Sequence, residues 1–169
     1  KVVRGKGEQQ SCEGVATDTR ALQPGELFVA LAGESFDAHH FLADAIQAGA
    51  AALVVQREDA VLEDVSLPVV LVADTRKALQ DLARFHRLRF AIPVIAVTGS
   101  NGKTSTKDMV AAALGARFNV LKTKGNFNNE IGLPLTLLSL EPSHEAAVVE
   151  MGMRGLGQIA ELADIARPT

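Results

Sequence analysis

The stretch PVIAVTGSNGKTS, residues 93–105, decides the fold of the region around it. An apolar run that ends in a glycine-rich turn and then reaches Lys103 and Thr104 is how proteins hold nucleotide phosphates. We predict a buried strand over residues 94–97, a sharp turn over residues 99–102 with inward-pointing backbone N–H groups, and a helix that begins at Lys103. Glycine suits this turn because a Cβ atom would block the close approach of the backbone to an anion.

Residues 98–105 are predicted to bind ATP, and one of them also to bind Mg²⁺. Lys103 would act as a catalytic residue that meets the β- and γ-phosphates, and the Thr104 hydroxyl would be a ligand of Mg²⁺. The other residues predicted to bind the nucleotide are Thr98, Gly99, Ser100, Asn101, Gly102 and Ser105.

The match to the general pattern GxxxxGK[ST] is imperfect, because Val97 stands five positions before Gly102, where the pattern has glycine. An ordinary strand-turn-helix connection with a surface lysine is therefore the alternative. The helix that follows favours phosphate binding, since its sequence is amphipathic. The apolar face of this helix is predicted to consist of Met109, Val110, Ala113 and Leu114.

The composition is that of a globular protein that works in a reducing compartment. The chain has 169 residues, of which 47% are hydrophobic, and a net charge of -3 with scattered Lys and Arg, so nucleic acid is not a favoured partner. No apolar run approaches the ~18 residues that cross a bilayer, so membrane insertion is not expected. The start lacks the apolar core of a signal peptide, and Cys12 is the single cysteine. We therefore expect a cytoplasmic protein.

The chain divides into two blocks, with a change near residues 87–92, and we predict domains over residues 1–90 and 91–169. The first block mixes predicted strands and helices: strands 27–31, 51–55 and 69–72, and helices 41–49 and 75–89. The second block alternates strand with helix: strands 94–97, 119–121 and 146–149, and helices 103–114, 133–140 and 155–166. This alternation is typical of βαβ units and a parallel sheet. The fold class is α/β, a small mixed domain followed by a P-loop-type parallel-sheet domain.

The second domain looks unfinished at the end of the sequence. The last helix runs into Pro168, which stops a helix, and a further strand would be expected after it. We interpret the chain as a fragment that ends within its second domain.

Glu150 is a second and independent piece of the predicted nucleotide site. It follows the apolar strand 146–149, at the carboxyl end where ligands bind parallel sheets. A carboxylate there can hold Mg²⁺ directly or through water, so Glu150 is a predicted catalytic residue and metal ligand. A solvent-facing carboxylate at a strand end is the alternative reading.

The loop over residues 122–131 concentrates three amides, Asn126, Asn128 and Asn129, at the same edge of the predicted sheet. Each amide can donate and accept hydrogen bonds, although asparagine is also a frequent turn and cap residue. Lys122 and Lys124 would add positive charge for a phosphorylated ligand. The four histidines, His39, His40, His86 and His144, have no partner at metal-ligand spacing, and we assign none of them a catalytic role.

Four segments together resemble the Mur ligases of bacterial cell-wall synthesis. They are ATDTRALQPGELFVALAGESFDAHHF at residues 16–41, TGSNGKTSTKDM at 98–109, GNFNNEIGLPLTLL at 125–138 and VVEMG at 148–152. In this family the phosphate loop lacks the first glycine of the general pattern. The resemblance covers nearly the whole chain, and the last two segments favour the member of the family that uses D-Ala-D-Ala.

The resemblance implies an ATP-driven ligase whose partners are UDP-MurNAc-tripeptide and D-Ala-D-Ala. It implies that the first domain binds the UDP part of the precursor through Asp18, Thr19 and Arg20. It further implies that Asn126, Asn128 and Asn129 line the junction between ATP and precursor. A monomer is expected, although the sequence leaves the oligomeric state open.

The family pattern also extends beyond this chain. Full-length relatives add a carbamylated lysine and a histidine for a second Mg²⁺, and then a carboxyl-terminal domain, so we expect this polypeptide alone to be inactive. Met153-Arg154-Gly155 stands where some relatives carry a histidine, which leaves the role of that turn open. Two alternatives stay open: a non-catalytic nucleotide-binding module, and a sibling ligase for a different amino acid or a folate.

Overall fold

A computed structural model describes residues 2–4, 11–33, 36–61 and 65–169. Residues 34 and 35 of the stretch 16–41, and most of the first ten residues, lie outside the described part. The chain forms two compact units, Lys1–Ala78 and Leu79–Thr169. The fold class predicted from sequence is confirmed, whereas the functions assigned to the two domains stay predictions.

The first unit is built on a five-stranded mixed sheet in the order β1-β5-β4-β3-β2. Its strands are β1 (Val2–Arg4), β2 (Val15–Ala16), β3 (Leu27–Val29), β4 (Ala52–Val55) and β5 (Val69–Leu71). Strand β1 pairs antiparallel with β5, and the other neighbours are parallel. A 3-10 helix (Ala38–Phe41) continues into α1 (Leu42–Gln47). The hydrophobic core of the first unit contains Phe28, Leu42, Leu53, Val55 and Val69.

The second unit has a three-stranded parallel sheet in the order β6-β8-β7. Strands β6 (Val94–Val97), β7 (Val120–Lys122) and β8 (Ala146–Glu150) alternate with helices α3 (Lys103–Gly115), α4 (Gly132–Leu138) and α5 (Gln158–Ala166). Central strand β8 is buried along its whole length. Strand β6 lies at the edge, so only Val94 is fully buried, where the sequence had predicted a buried strand throughout.

Helix α2 (Thr75–Arg87) joins the two units, and the unit boundary falls within it. Its buried side chains include Leu79, Ala83 and the charged Arg87. The Arg87 guanidinium donates to the carbonyls of Phe90, Ile92, Ala166 and Arg167. This buried cation therefore ties the end of α2 to the end of α5, and burial lowers the pKa of Arg87.

The predicted apolar face of α3 is wrong in two of its four members. Met109 is 73% exposed and Ala113 is also exposed, while the buried residues of α3 are Lys107 and Ala111. The face of α3 that packs inward includes Lys107, so it differs from the face that hydrophobicity alone predicts. None of the helices in the described residues is long and apolar enough to span a membrane.

Helix α5 begins at Gln158, three residues later than predicted. Gly157 has φ +84, which is left-handed backbone that ends the preceding turn. The Gln158 side chain accepts hydrogen bonds from the backbone N–H groups of Arg154 and Gly155. The turn after β8 is therefore an ordered connection, stabilised by the first residue of the helix.

Candidate functional site

The predicted phosphate loop is the connection between β6 and α3. Val97, which occupies the position of the missing glycine, is the last residue of β6 and pairs in register with Glu150 of β8. The Val97 carbonyl also accepts a hydrogen bond from Met151 N at 2.8 Å. Because this position is part of the sheet, the turn itself begins only at Thr98, and glycine is not required at Val97.

The two glycines of the turn have backbone angles that favour glycine. Gly99 has φ +142 and Gly102 has φ +75, both in the range that other residues rarely adopt. Gly102 is also the N-cap residue of α3, and no side chain of the described residues caps this helix. The first N–H groups of α3 therefore point out of the helix start, where an anion can accept them.

Lys103 lies directly over this turn. Its Nζ donates to the Gly99 carbonyl at 2.7 Å. The ammonium is thus held beside the N–H groups at the start of α3, and both favour a negatively charged ligand. Of the other predicted loop residues, Thr98, Ser100, Asn101 and Ser105 are exposed around the turn.

Glu150 ends β8 and is the buried centre of the site, with only 2% of its surface exposed. One carboxylate oxygen, Oε2, accepts the Thr104 hydroxyl at 3.0 Å. The other, Oε1, accepts the Asn128 amide at 2.8 Å. The Glu150 backbone N–H donates to the Thr123 hydroxyl at 2.9 Å. The alternative of a solvent-facing carboxylate is therefore wrong.

Thr104 and Glu150 together fit Mg²⁺. A hydroxyl oxygen and a carboxylate oxygen 3.0 Å apart are hard donors on one side of a site. Mg²⁺ is usually held by one or two protein oxygens, and waters and substrate phosphates complete its coordination. The described residues contain no group of three or more His, Cys, Asp or Glu that could hold a metal, so an all-protein cage is absent there.

The three asparagines of the loop before α4 are placed differently. The Asn128 side-chain amide donates to the Glu150 carboxylate. Asn129 Oδ1 accepts the N–H groups of Ile131 and Gly132 and caps the start of α4, which is the loop chemistry that the sequence left as an alternative. Asn126 has an exposed side chain. A single amide, that of Asn128, thus contacts the buried carboxylate.

This loop is held in place by a close contact of glycine with backbone. A Cβ atom on Gly132 would lie 2.4 Å from the Cα of Phe127, a distance that no side chain tolerates. The backbone of Asn128 also accepts the Gly152 N–H at 2.8 Å. The loop therefore packs against both α4 and the residues after β8, and its position fixes the amide that reaches Glu150.

Lys107 is a residue of the site that sequence reasoning missed. Its side chain is 2% exposed, and its Nζ lies 3.9 Å from Glu150 Oε2 and 3.7 Å from Asp108 Oδ1. Asp108 in turn binds Lys122 Nζ at 2.8 Å. Lys122 lowers the pKa of the Asp108 carboxyl, and Lys107 adds to this effect. The sequence does contain one indication of this position: Lys107 follows Lys103 by one helical turn, so the two lysines lie on the same side of α3.

Lys122 was predicted to add charge for a phosphorylated ligand, together with Lys124. In the structure the Lys122 ammonium forms its ion pair with Asp108. Its charge is therefore already balanced by a carboxylate on α3, and a hydrogen bond to a phosphate would have to compete with that pair.

The three residues predicted to bind UDP form a surface turn after β2. Arg20 and Asp18 make a bidentate ion pair whose shortest distance is 2.6 Å, and their side chains are 88% and 44% exposed. Hydrogen bonds from Arg20 lower the pKa of Asp18 to about 2. Thr19 lies between them and is half-buried. The turn displays a guanidinium on the surface, and its role in binding stays a prediction.

A second buried polar network, the histidine network, lies in the first unit. His39 Nδ1 is 2.6 Å from Asp37 Oδ1, and His39 Nε2 accepts the Gln56 N–H at 3.0 Å. Gln56 Oε1 accepts both the N–H and the hydroxyl of Thr75. Since Nε2 accepts a hydrogen bond from a backbone N–H, the ring proton is assigned to Nδ1. His39 thus joins the end of β4 to the 3-10 helix, a structural role.

Comparison with known proteins gives the same family twice. Residues 97–169 match the profile of the Mur ligase middle domain, and residues 11–87 match the Mur ligase family catalytic domain. A similar curated relative is the UDP-N-acetylmuramoyl-tripeptide--D-alanyl-D-alanine ligase of Synechocystis sp., 55% identical over 92% of this chain and 34% of its own length. The chain spans about a third of the length of the curated relatives it matches.

Solved structures of similar proteins share the fold. The D-alanyl-D-alanyl ligase of Acinetobacter baumannii aligns with a TM-score of 0.87 and 39% identity, over 95% of this chain and 35% of that one. The MurF ligase of Thermotoga maritima, solved in complex with ADP, aligns with a TM-score of 0.81 and 35% identity, over 92% of this chain and 35% of that one.

Proposed function

This chain belongs to the Mur ligase family, and we propose that it is part of a ligase that joins D-Ala-D-Ala to UDP-MurNAc-tripeptide with the energy of ATP. The observation that carries the proposal is the contact of Thr104, directly after the phosphate loop, with the buried carboxylate of Glu150. Similar relatives carry this activity in their names. A relative solved with ADP supports nucleotide as the ligand of the loop.

In the proposed mechanism the loop binds the phosphates of ATP. The N–H groups at the start of α3 and the Lys103 ammonium bind phosphate oxygens and neutralise charge as the γ-phosphoryl group moves. Thr104 and Glu150 would hold Mg²⁺, which when bound neutralises phosphate charge and orients the triphosphate. Asn128 fixes the orientation of the Glu150 carboxylate by donating to its second oxygen.

The bond changes follow from this arrangement. A carboxylate oxygen of the tripeptide attacks the γ-phosphorus, the bond to ADP breaks, and an acyl phosphate forms. The amine of D-Ala-D-Ala then attacks the acyl carbon, phosphate leaves, and the amine loses a proton as the amide forms. The turn Asp18-Thr19-Arg20 would bind the uridine nucleotide part of the precursor, with the Arg20 guanidinium as the group that suits its phosphates.

The site so described is also the one that a nucleotide-binding module without catalytic function would use. We favour the ligase, because the module needs neither a buried carboxylate beside the loop nor an amide that orients it. Such a ligase would act in peptidoglycan synthesis in the cytoplasm, where its UDP-linked precursor and ATP are present, and we expect it to be a monomer. We also expect the 169-residue chain alone to be inactive.

Substitution of Lys103 tests the proposal. In the protein at its full natural length, Lys103→Ala should lower the rate of amide formation from ATP, UDP-MurNAc-tripeptide and D-Ala-D-Ala by about 10³-fold or more. The matched control is Lys77→Ala, an exposed lysine on α2, which should stay within about twofold of the wild type. Full ligation by Lys103→Ala would rule out the proposed role of the loop.

The choice of amine separates this ligase from its siblings. Phosphate release by the wild-type protein should be stimulated by D-Ala-D-Ala together with UDP-MurNAc-tripeptide. Stimulation instead by a single amino acid, or by glutamate with a folate, would assign the chain to another branch of the family.

A further inference from the structure

Lys107 is a fully buried cation that the proposed binding of phosphates does not use. Lys103 and Lys107 lie one turn apart on α3, but Lys103 bends over the loop while Lys107 faces the sheet. Burial of an ammonium is costly unless a carboxylate accompanies it. The two carboxylates near Lys107 Nζ are those of Glu150 and Asp108.

These two carboxylates differ in what else they contact. Asp108 is half exposed and already has a close partner, since Lys122 Nζ is 2.8 Å away. Glu150 is as deeply buried as Lys107, and its two hydrogen-bond donors, Thr104 and Asn128, are neutral. Lys107 therefore carries the positive charge that accompanies the buried Glu150 carboxylate.

The distance between the Lys107 ammonium and the Glu150 carboxylate determines the kind of interaction that they make. Lys107 Nζ and Glu150 Oε2 are 3.9 Å apart, which is an ion pair but not a hydrogen bond. The oxygen that faces the ammonium is the same one that accepts the Thr104 hydroxyl, on the side of the predicted Mg²⁺ ligands. A divalent cation bound there would lie close to a buried ammonium, and the two positive charges would repel each other through a poorly screened interior.

We propose that Lys107 is the resident counter-ion of Glu150 and lowers the affinity of the Thr104–Glu150 site for Mg²⁺. Without nucleotide the ammonium balances the carboxylate, so the metal gains little by binding. The phosphates of ATP add negative charge on the opposite side of the metal and offset the repulsion. Mg²⁺ then binds together with the nucleotide rather than before it. This inference rests on the proposed function only in taking Glu150 as a metal ligand.

Metal binding without nucleotide tests the inference. Mn²⁺ alone is the probe, and the free ion is counted by electron paramagnetic resonance in the protein at its full natural length. Lys107→Met keeps the length of the side chain and removes the charge, and it should tighten Mn²⁺ binding by about tenfold or more. The matched control Lys122→Met removes an equal charge that faces Asp108 instead, and it should change the affinity by no more than about twofold.

A conservative variant separates charge from shape. Lys107→Arg keeps the positive charge, so its Mn²⁺ affinity should stay near that of the wild type. Equal tightening by Lys107→Arg and Lys107→Met would overturn the inference, because the effect would then come from packing. No tightening by Lys107→Met in protein that melts cooperatively would overturn it as well.

Thermal stability gives a readout that does not depend on activity. In EDTA, Lys107→Met should melt at a lower temperature than the wild type, since a buried carboxylate has lost its counter-ion. Addition of Mg²⁺ should raise the melting temperature of this variant by more than it raises that of the wild type, because a ligand that binds more tightly stabilises the folded state more. A loss that Mg²⁺ leaves unchanged would mean that Lys107 is only a packing residue.

Glu150→Gln distinguishes this inference from the proposed function. If Glu150→Gln leaves Mn²⁺ binding unchanged both with and without ADP, Glu150 is not a metal ligand and the proposed site fails. If Glu150→Gln weakens Mn²⁺ binding in the presence of ADP while Lys107→Met has no effect, the site stands and only the role of Lys107 fails. The double variant should lose the tightening seen in Lys107→Met.

Discussion

The two units each bury a polar network beside the carboxyl end of a parallel strand, and the two networks are completed differently. In the histidine network every partner is within hydrogen-bond distance, and the chain runs from Asp37 through His39 and Gln56 to Thr75. In the second unit the Glu150 carboxylate has two neutral donors and an ammonium 3.9 Å away.

The difference separates a structural network from a candidate ligand site. The His39 and Gln56 side chains each accept a hydrogen bond from a backbone N–H, so their positions are fixed by the fold, and a ligand could enter only by breaking those bonds. The Glu150 carboxylate is held by two side chains, that of Thr104 at the start of α3 and that of Asn128 in the loop before α4, and the ammonium that balances its charge is 3.9 Å away. In such an arrangement a metal ion can replace part of the charge compensation that the distant ammonium gives to the buried carboxylate.

Loss of the histidine ring should have the largest effect on stability and none on nucleotide binding. His39→Leu leaves the partly buried N–H of Gln56 without its acceptor and should lower the free energy of unfolding by about 1–3 kcal/mol. Chemical denaturation measures this loss. Calorimetry with ADP should give an unchanged affinity, and a large change in that affinity would contradict the division between the two networks.

Loss of the amide beside Glu150 should affect activity more than stability. Asn128→Ala removes the donor to Glu150 Oε1, so the carboxylate can turn away from Thr104. Partners that orient a metal ligand are typically worth 10–100-fold, and we expect ligation by the full-length protein to fall about tenfold. Asn126→Ala, which changes an exposed amide of the same loop, is the control for protein stability. A ligation rate equal to that of the wild type in Asn128→Ala, at an unchanged unfolding midpoint, would remove Asn128 from the site.

The stability that the histidine network gives to the fold should decrease at acid pH, because Asp37 becomes protonated. Partial burial raises the pKa of this carboxyl, but hydrogen bonds from His39 and the nearby charge of Arg57 lower it by more, so the net pKa is below 3.8. Ionised Asp37 therefore stabilises the fold above the unfolded pKa, and this contribution is lost as pH falls through the folded pKa. Asp37→Asn should cost about 1 kcal/mol at pH 7, with a smaller cost in unfolding experiments below about pH 4. A cost that is independent of pH would contradict this role of the charge.

The smallest effect is expected at the predicted UDP turn. Arg20→Met should raise the pKa of Asp18 from about 2 toward the ordinary value of 3.8, which a carbon-13 NMR titration measures. The stability of the fold should stay close to that of the wild type, because both side chains are solvent-exposed and water screens their ion pair. Weaker binding of UDP-MurNAc-tripeptide by this stable variant would support its predicted role, and unchanged binding would remove Arg20 from it.

Local chemistry made much of the second unit predictable. The glycines, Lys103 and Thr104 follow an apolar run, and the positive φ of Gly99 and Gly102 is what that pattern requires. Glu150 was predictable because the ends of parallel strands meet at one edge of a sheet. Val97 became understandable only from its register with Glu150, which no short pattern contains.

Other features depend on contacts between distant segments. Lys107 and Arg87 are charged, so their sequence positions suggest solvent, and only their partners on other elements make their burial possible. Likewise, nothing in the run of asparagines distinguishes Asn128, which reaches Glu150, from Asn129, which caps a helix. Such differences arise from the path of the loop.

The most direct test of the account is the dependence of ADP binding on Mg²⁺ in the wild type and in Glu150→Gln, measured by calorimetry on the full-length protein. Mg²⁺ should tighten ADP binding to the wild type by about tenfold or more and have little effect on Glu150→Gln, in which a ligand of the metal is lost. Equal enhancement by Mg²⁺ in both proteins would contradict a metal site at Glu150.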